Sequence, residues 1–133
     1  DSAQAKRDLG VTGWAEKMIE QRVISAGQSS EYLNWAMKEI SKTPLEVLVG
    51  IGLPLYSPEA NVAETFRTLK VPTLILAPTN SPITTIDDQN WIKDSIPDST
   101  IALIDGPTHE IYVDKPIECI EEVRNFLSIL PKK

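Results

Sequence analysis

Over positions 1–60 the apolar residues recur at helical spacing, and beyond them the pattern changes to two short unbroken apolar runs set between helical stretches. Gly10 and Gly13 interrupt the first stretch, after which Trp14, Met18 and Ile19 share one helix face in a segment expected to close near Gly27. A second helix is expected from Ser29 or Ser30, with Glu31 in its positive first turn and Leu33, Ala36, Met37 and Ile40 along one side. The third start is the best marked. Thr43, Pro44, Leu45 and Glu46 combine a capping hydroxyl, a proline where no amide donor is needed and a carboxylate that can reach back, which predicts reciprocal capping. The body at 45–55 is apolar nearly all round, as suits a helix lying over a pocket or between layers, and Gly50, Gly52 and Pro54 bring it to an end.

From Asn61 the pattern changes. Residues 62–69 read as a short helix, and Lys70, Val71 and Pro72 lead into an apolar run at 73–77. That run does not alternate, which predicts a parallel strand covered on both faces. A loop at 78–82 is followed by a helix that Thr84 or Thr85 can cap, with Asp87 and Asp88 in its first turn, Ile92 and Ile96 inward and Pro97 beyond its end. A second strand is expected at 101–104. The last helix opens with Pro116 and carries Ile120, Val123, Phe126, Leu127 and Leu130 on one stripe. Strand, helix, strand and helix at these lengths imply a right-handed parallel crossover, and so an α/β protein with a helical region in front of it.

Composition narrows what such a chain can do. Its 133 residues, 41% hydrophobic and 24% charged, suffice to bury roughly two-thirds of the unfolded surface, so the chain is neither disordered nor fibrous. A formal net charge of −6, with no cluster of Lys and Arg beyond the terminal Lys132 and Lys133, argues against nucleic acid and against an anionic membrane. The single cysteine, Cys119, cannot form an internal disulfide, and no apolar stretch is long enough to span a bilayer. A reducing, cytoplasmic setting is the expectation. No glycine-rich phosphate loop and no Cys/His cluster is present, so neither a cofactor nor a metal is expected.

Candidate chemistry centres on His109, the one histidine of the chain, which follows the second apolar run in the sequence Gly106-Pro107-Thr108-His109. A histidine on the rim of a parallel sheet is placed as a proton-transfer group would be; the alternative is a loop histidine satisfied by backbone. Val71-Pro72-Thr73-Leu74-Ile75-Leu76, the turn Ile96-Pro97-Asp98-Ser99-Thr100, and Gly106 to His109 with Asp114-Lys115-Pro116 together resemble the C-terminal end of the α/β-hydrolase superfamily. In that likeness 71–76 corresponds to the penultimate core strand, and the residues after it to the histidine loop and the final helix. The opening Asp1-Ser2-Ala3 followed by Trp14-Ala15-Glu16 resembles the end of the sixth core strand and the first lid helix of the enol-lactonase and esterase-like members. The resemblance implies a helical lid over 1–60 and the C-terminal part of the hydrolase core over 61–133.

It also implies roles. His109 corresponds to the base, and later the acid, of a serine hydrolase acting on a small ester, lactone or similar acyl substrate. The Gly-x-Ser-x-Gly nucleophile elbow does not occur in these residues, so the attacking serine is expected upstream of Asp1. Gly27-Gln28-Ser29 is not an elbow, because Glu31 stands where the second glycine is needed, and Ser29 reads as a helix cap. Ser81 occupies the usual position of the triad acid, and its hydroxyl orients an imidazole without supplying charge. Asp1 is the alternative acid, at the end of the sixth strand, whereas Asp87 and Asp88 read as belonging to a helix N-terminus. Glu110 adjoins His109 in sequence, where neighbours often point apart. Cys119 reads as inert core within the last helix.

Two parallel strands cannot cover their own edges, so the sheet is expected to be completed by an N-terminal remainder of the same protein or by a second copy. The alternative function is a catalytically inactive hydrolase-like binding or interaction module, and a third reading is an α/β domain whose likeness to hydrolases is superficial.

Overall fold

The structure, a computed structural model, describes residues 2–25, 28–55 and 62–131. Among them are seven helices and a two-stranded parallel sheet, which make the protein mixed α/β. The order is α1 (Ser2–Glu20), α2 (Ser30–Ile40), α3 (Leu45–Leu55), α4 (Val62–Thr68), β1 (Thr73–Pro78), α5 (Ile86–Ser95), β2 (Ser99–Ile104), α6 (Ile111–Asp114) and α7 (Pro116–Ile129). β1 and β2 run in register from Thr73 opposite Ser99 to Pro78 opposite Ile104. The non-alternating apolar runs did mark a parallel pair.

Four expectations about the helical region change. The chain is helical from Ser2, so Ser2 and Ala3 are not the end of a strand, and Asp1 lies outside the described residues. Gly10, at φ 67°, leaves helical geometry and kinks α1 without ending it, because glycine tolerates the left-handed region without a Cβ clash. The segment then stops at Glu20, ahead of Gly27, which also lies outside the described residues. At the head of α3 the Glu46 carboxylate reaches Arg7 of α1 at 3.1 Å, so it ties two helices together.

The caps explain two other starts. Ser29 accepts the Tyr32 amide at the head of α2. Thr85 and Asp88 form a complete capping box on α5, and the Thr85 backbone amide holds the exposed Asp88 carboxyl below its usual range. A carboxyl so shifted contributes stability that is present above its unfolded pKa and is lost as pH falls through the folded value. Asp88→Ala is therefore expected to lower Tm at pH 7, with the gap to wild type closing in acid; a gap independent of pH would rule the cap out as its cause.

Burial is uneven. Ile104, Ile111 and Cys119 form the centre of the α/β part with Leu76 against them, while Ala15, Ala36 and Val49 are buried in the helical part. Cys119 is core, as expected, and burial pushes its thiol up. The stripe predicted on α7 is a single face, but Ile120, Val123 and Leu127 on it are exposed, together with Ile117. Leu103 of β2 and Trp91 of α5 are exposed as well. Among the described residues no helix is long and apolar enough to cross a membrane.

Candidate active site

β1 and β2 end side by side, and the loops that leave them hold the candidate residues. Asn80 joins the two loops: its amide donates to Asp105 Oδ1 at 3.0 Å and to the Gly106 carbonyl at 3.2 Å. Thr79 Oγ1 donates to the same Asp105 oxygen at 3.0 Å. Gly106 admits the close return of the chain, since a Cβ there would lie 3.1 Å from Ile111 Cγ2.

His109 and Ser81 meet as the sequence placed them, with Ser81 Oγ 2.9 Å from His109 Nδ1. Ser81 is itself held from behind. Its oxygen accepts the Ile83 amide at 3.2 Å, the Thr84 amide at 3.1 Å and the Thr84 hydroxyl at 3.1 Å. With its lone pairs so occupied, the hydroxyl has one proton to give, and Nδ1 is there to accept it. The neutral imidazole then carries its own proton on Nε2, an assignment made from the hydrogen-bond pattern. In that tautomer Nε2 donates and cannot accept a proton from an attacking hydroxyl.

No carboxylate among the described residues is hydrogen-bonded to His109. Asp105 is engaged by Thr79 and Asn80. Asp87 and Asp88 stand in the first turn of α5, as expected. Glu110 turns away from its neighbour, taking the Ser25 amide at 2.8 Å and the hydroxyls of Tyr112 and Tyr32 at 3.2 and 3.5 Å. Asp1, the alternative acid, is outside the described residues.

Sequence reasoning missed the residues that fix the histidine loop from the helical side. Arg22 adopts a left-handed conformation, φ 59°; its guanidinium donates to the Pro107 carbonyl and its own carbonyl accepts the His109 amide at 3.3 Å. Ser25, fully buried, shares a hydrogen bond of 3.1 Å with the hydroxyl of the equally buried Thr108, which donates in turn to Asp114. Gln28 reaches the Val113 carbonyl and Asp114, each at 3.2 Å. These partners lie far apart in sequence, and no local pattern announces them. Thr108→Val would leave the Glu110 amide without the oxygen it donates to and one Asp114 oxygen without its donor, so it is expected to cost about 1–3 kcal/mol in urea unfolding. A loss within experimental error would show that water replaces the lost hydroxyl.

Among the described residues no group of His, Cys, Asp and Glu could hold a metal ion. No protein-family model matches the chain, and no curated protein matches it.

Proposed function

We propose that the chain is the C-terminal part of a serine hydrolase of the α/β type, acting on a small ester, lactone or similar acyl substrate. One observation carries this reading: His109 lies in the loop beyond the C-terminal end of β2, hydrogen-bonded through Nδ1 to Ser81 in the loop that leaves the parallel neighbour β1. Catalytic groups in open α/β sheets gather at that end. The attacking serine would come from a segment preceding these residues, and that segment would also lie along the free edge of β1. Support for such a neighbour comes from the exposed apolar residues of α7 and from an apolar cavity of about 470 Å³ between α7 and β1, lined by Leu76, Tyr112, Cys119, Ile120 and Val123. The helical residues 2–55 would serve as the lid.

A second reading has its own observation. The donors around Ser81 favour an imidazole that donates from Nε2, which suits holding an acceptor oxygen and does not suit deprotonating a serine. The chain would then be an inactive relative that binds through the same loop. Hydrolysis of a p-nitrophenyl ester by the natural full-length protein separates the two: turnover is expected on the first reading, and its absence supports the second. For this chain alone, size-exclusion chromatography is expected to show association through the open face; a stable, cooperatively unfolding monomer would count against a missing neighbour, and a defined dimer would make a second copy the occupant.

A further inference from the structure

Apart from the histidine loop, α2 and α6 enclose a cavity of about 360 Å³ whose wall combines aromatic rings with a carboxylate. Tyr32 and Trp35 of α2 form one side, with ring centroids 5.8 Å apart and planes inclined at 41°, so their faces make a corner. Tyr112 of α6 adds a third ring, and Ile24 and Ala36 keep the wall apolar. Glu110 belongs to the same lining. Its carboxylate is held by the amide of Ser25 and the hydroxyls of Tyr32 and Tyr112, all uncharged donors, and among the described residues no lysine or arginine forms an ion pair with it. Glu39, the other carboxylate of the lining, is paired with Lys42 at 2.6 Å.

A fixed negative charge without a counter-charge, set among exposed π faces on a protein of net charge −6, is complementary to a cation with an apolar skin. A compact, strongly hydrated ammonium gains little in such a place, whereas an alkylated one sheds water easily and meets both the rings and the carboxylate. A neutral apolar molecule would leave the Glu110 charge unanswered. We propose that this cavity binds a small organic ammonium ion, its alkylated nitrogen against Tyr32 and Trp35 and its charge facing Glu110. Burial, and then the nearby Glu110, push the hydroxyls of Tyr32 and Tyr112 up, so both rings stay neutral at physiological pH. His109 does not line the cavity, so the proposal stands or falls apart from any hydrolytic role.

The test uses choline and its neutral isostere 3,3-dimethyl-1-butanol, titrated against this protein and followed by tryptophan fluorescence. Choline is expected to quench saturably and to bind about fivefold or more tightly than the isostere, a ratio set by one cation–π contact and the carboxylate. Trp35→Ala, at an exposed position that leaves folding intact, should abolish the quench and weaken binding about fivefold by calorimetry. Glu110→Gln, which keeps an acceptor for the Ser25 amide, should narrow choline's advantage over the isostere to what the cation–π contact alone supplies, and an unchanged advantage would also overturn the proposal. Equal binding of the two ligands, or choline binding unaltered by Trp35→Ala, would overturn the proposal.

Discussion

Replacing His109 by alanine in the natural full-length protein is expected to slow hydrolysis of a p-nitrophenyl ester by a factor on the order of 10²–10⁴, the usual contribution of a positioned proton-transfer group. An unchanged rate would remove His109 from the mechanism. The more telling variant is Ser81→Asp. An aspartate suits the turn that Ser81 occupies, since its carboxylate can accept the Ile83 and Thr84 amides as the hydroxyl does. It brings no proton of its own. Nδ1 must then carry the imidazole proton, leaving Nε2 free to accept one, and the carboxylate stabilises the imidazolium that forms. The variant is expected to raise the rate about tenfold or more, by restoring charge where the wild type has only a dipole. A rate lowered to that of His109→Ala would show that the hydroxyl of Ser81, and not its place in the turn, is what the site requires.

Ile104→Ala is expected to be the most damaging change to folding. Ile104 lies at the end of β2, 4% exposed, between Ile111 and Cys119, and a Leu or Ile truncated at such a site costs about 2–5 kcal/mol through lost burial and the cavity left behind. Small domains carry about 5–15 kcal/mol in all. This cluster is short, and much of the surrounding apolar surface on α7 is not covered, so the variant should unfold at a much lower urea concentration or fail to fold. Ile129→Ala, by contrast, truncates a side chain that is 74% exposed and should fall within about 0.5 kcal/mol of wild type. Similar losses at both positions would mean that the core lies elsewhere.

The elements most readily legible in the sequence were those written in local chemistry. Ser29 or Ser30 announced α2 and Thr84 or Thr85 announced α5, because a capping hydroxyl acts within three residues of itself, and the caps fall on Ser29 and Thr85. The runs at 73–77 and 101–104 announced a parallel pair because both faces of such a strand receive helices. Pro116 announced α7. α6 was too short to show a period, and the kink at Gly10 looked like a start because the pattern alone does not distinguish a bend from a break. At the site, Ser81 was found by counting along a resemblance, and the structure places it against His109. Arg22, Ser25 and Gln28 were invisible. Their contacts join segments more than eighty positions apart, and a polar residue in a linker looks the same whether or not a distant carbonyl awaits it.

The turn at Arg22 also bears on how the helical layer can move. It holds the histidine loop at two points, one on either side of Thr108, and it does so from the stretch of chain that joins α1 to α2. Helices that swung away from the sheet would have to give up the bonds to the Pro107 carbonyl and the His109 amide together, and the left-handed turn would lose what holds it in place. The layer is thus hinged to the very loop that carries the imidazole. Admitting a ligand by lifting these helices and loosening the grip on His109 would be one motion.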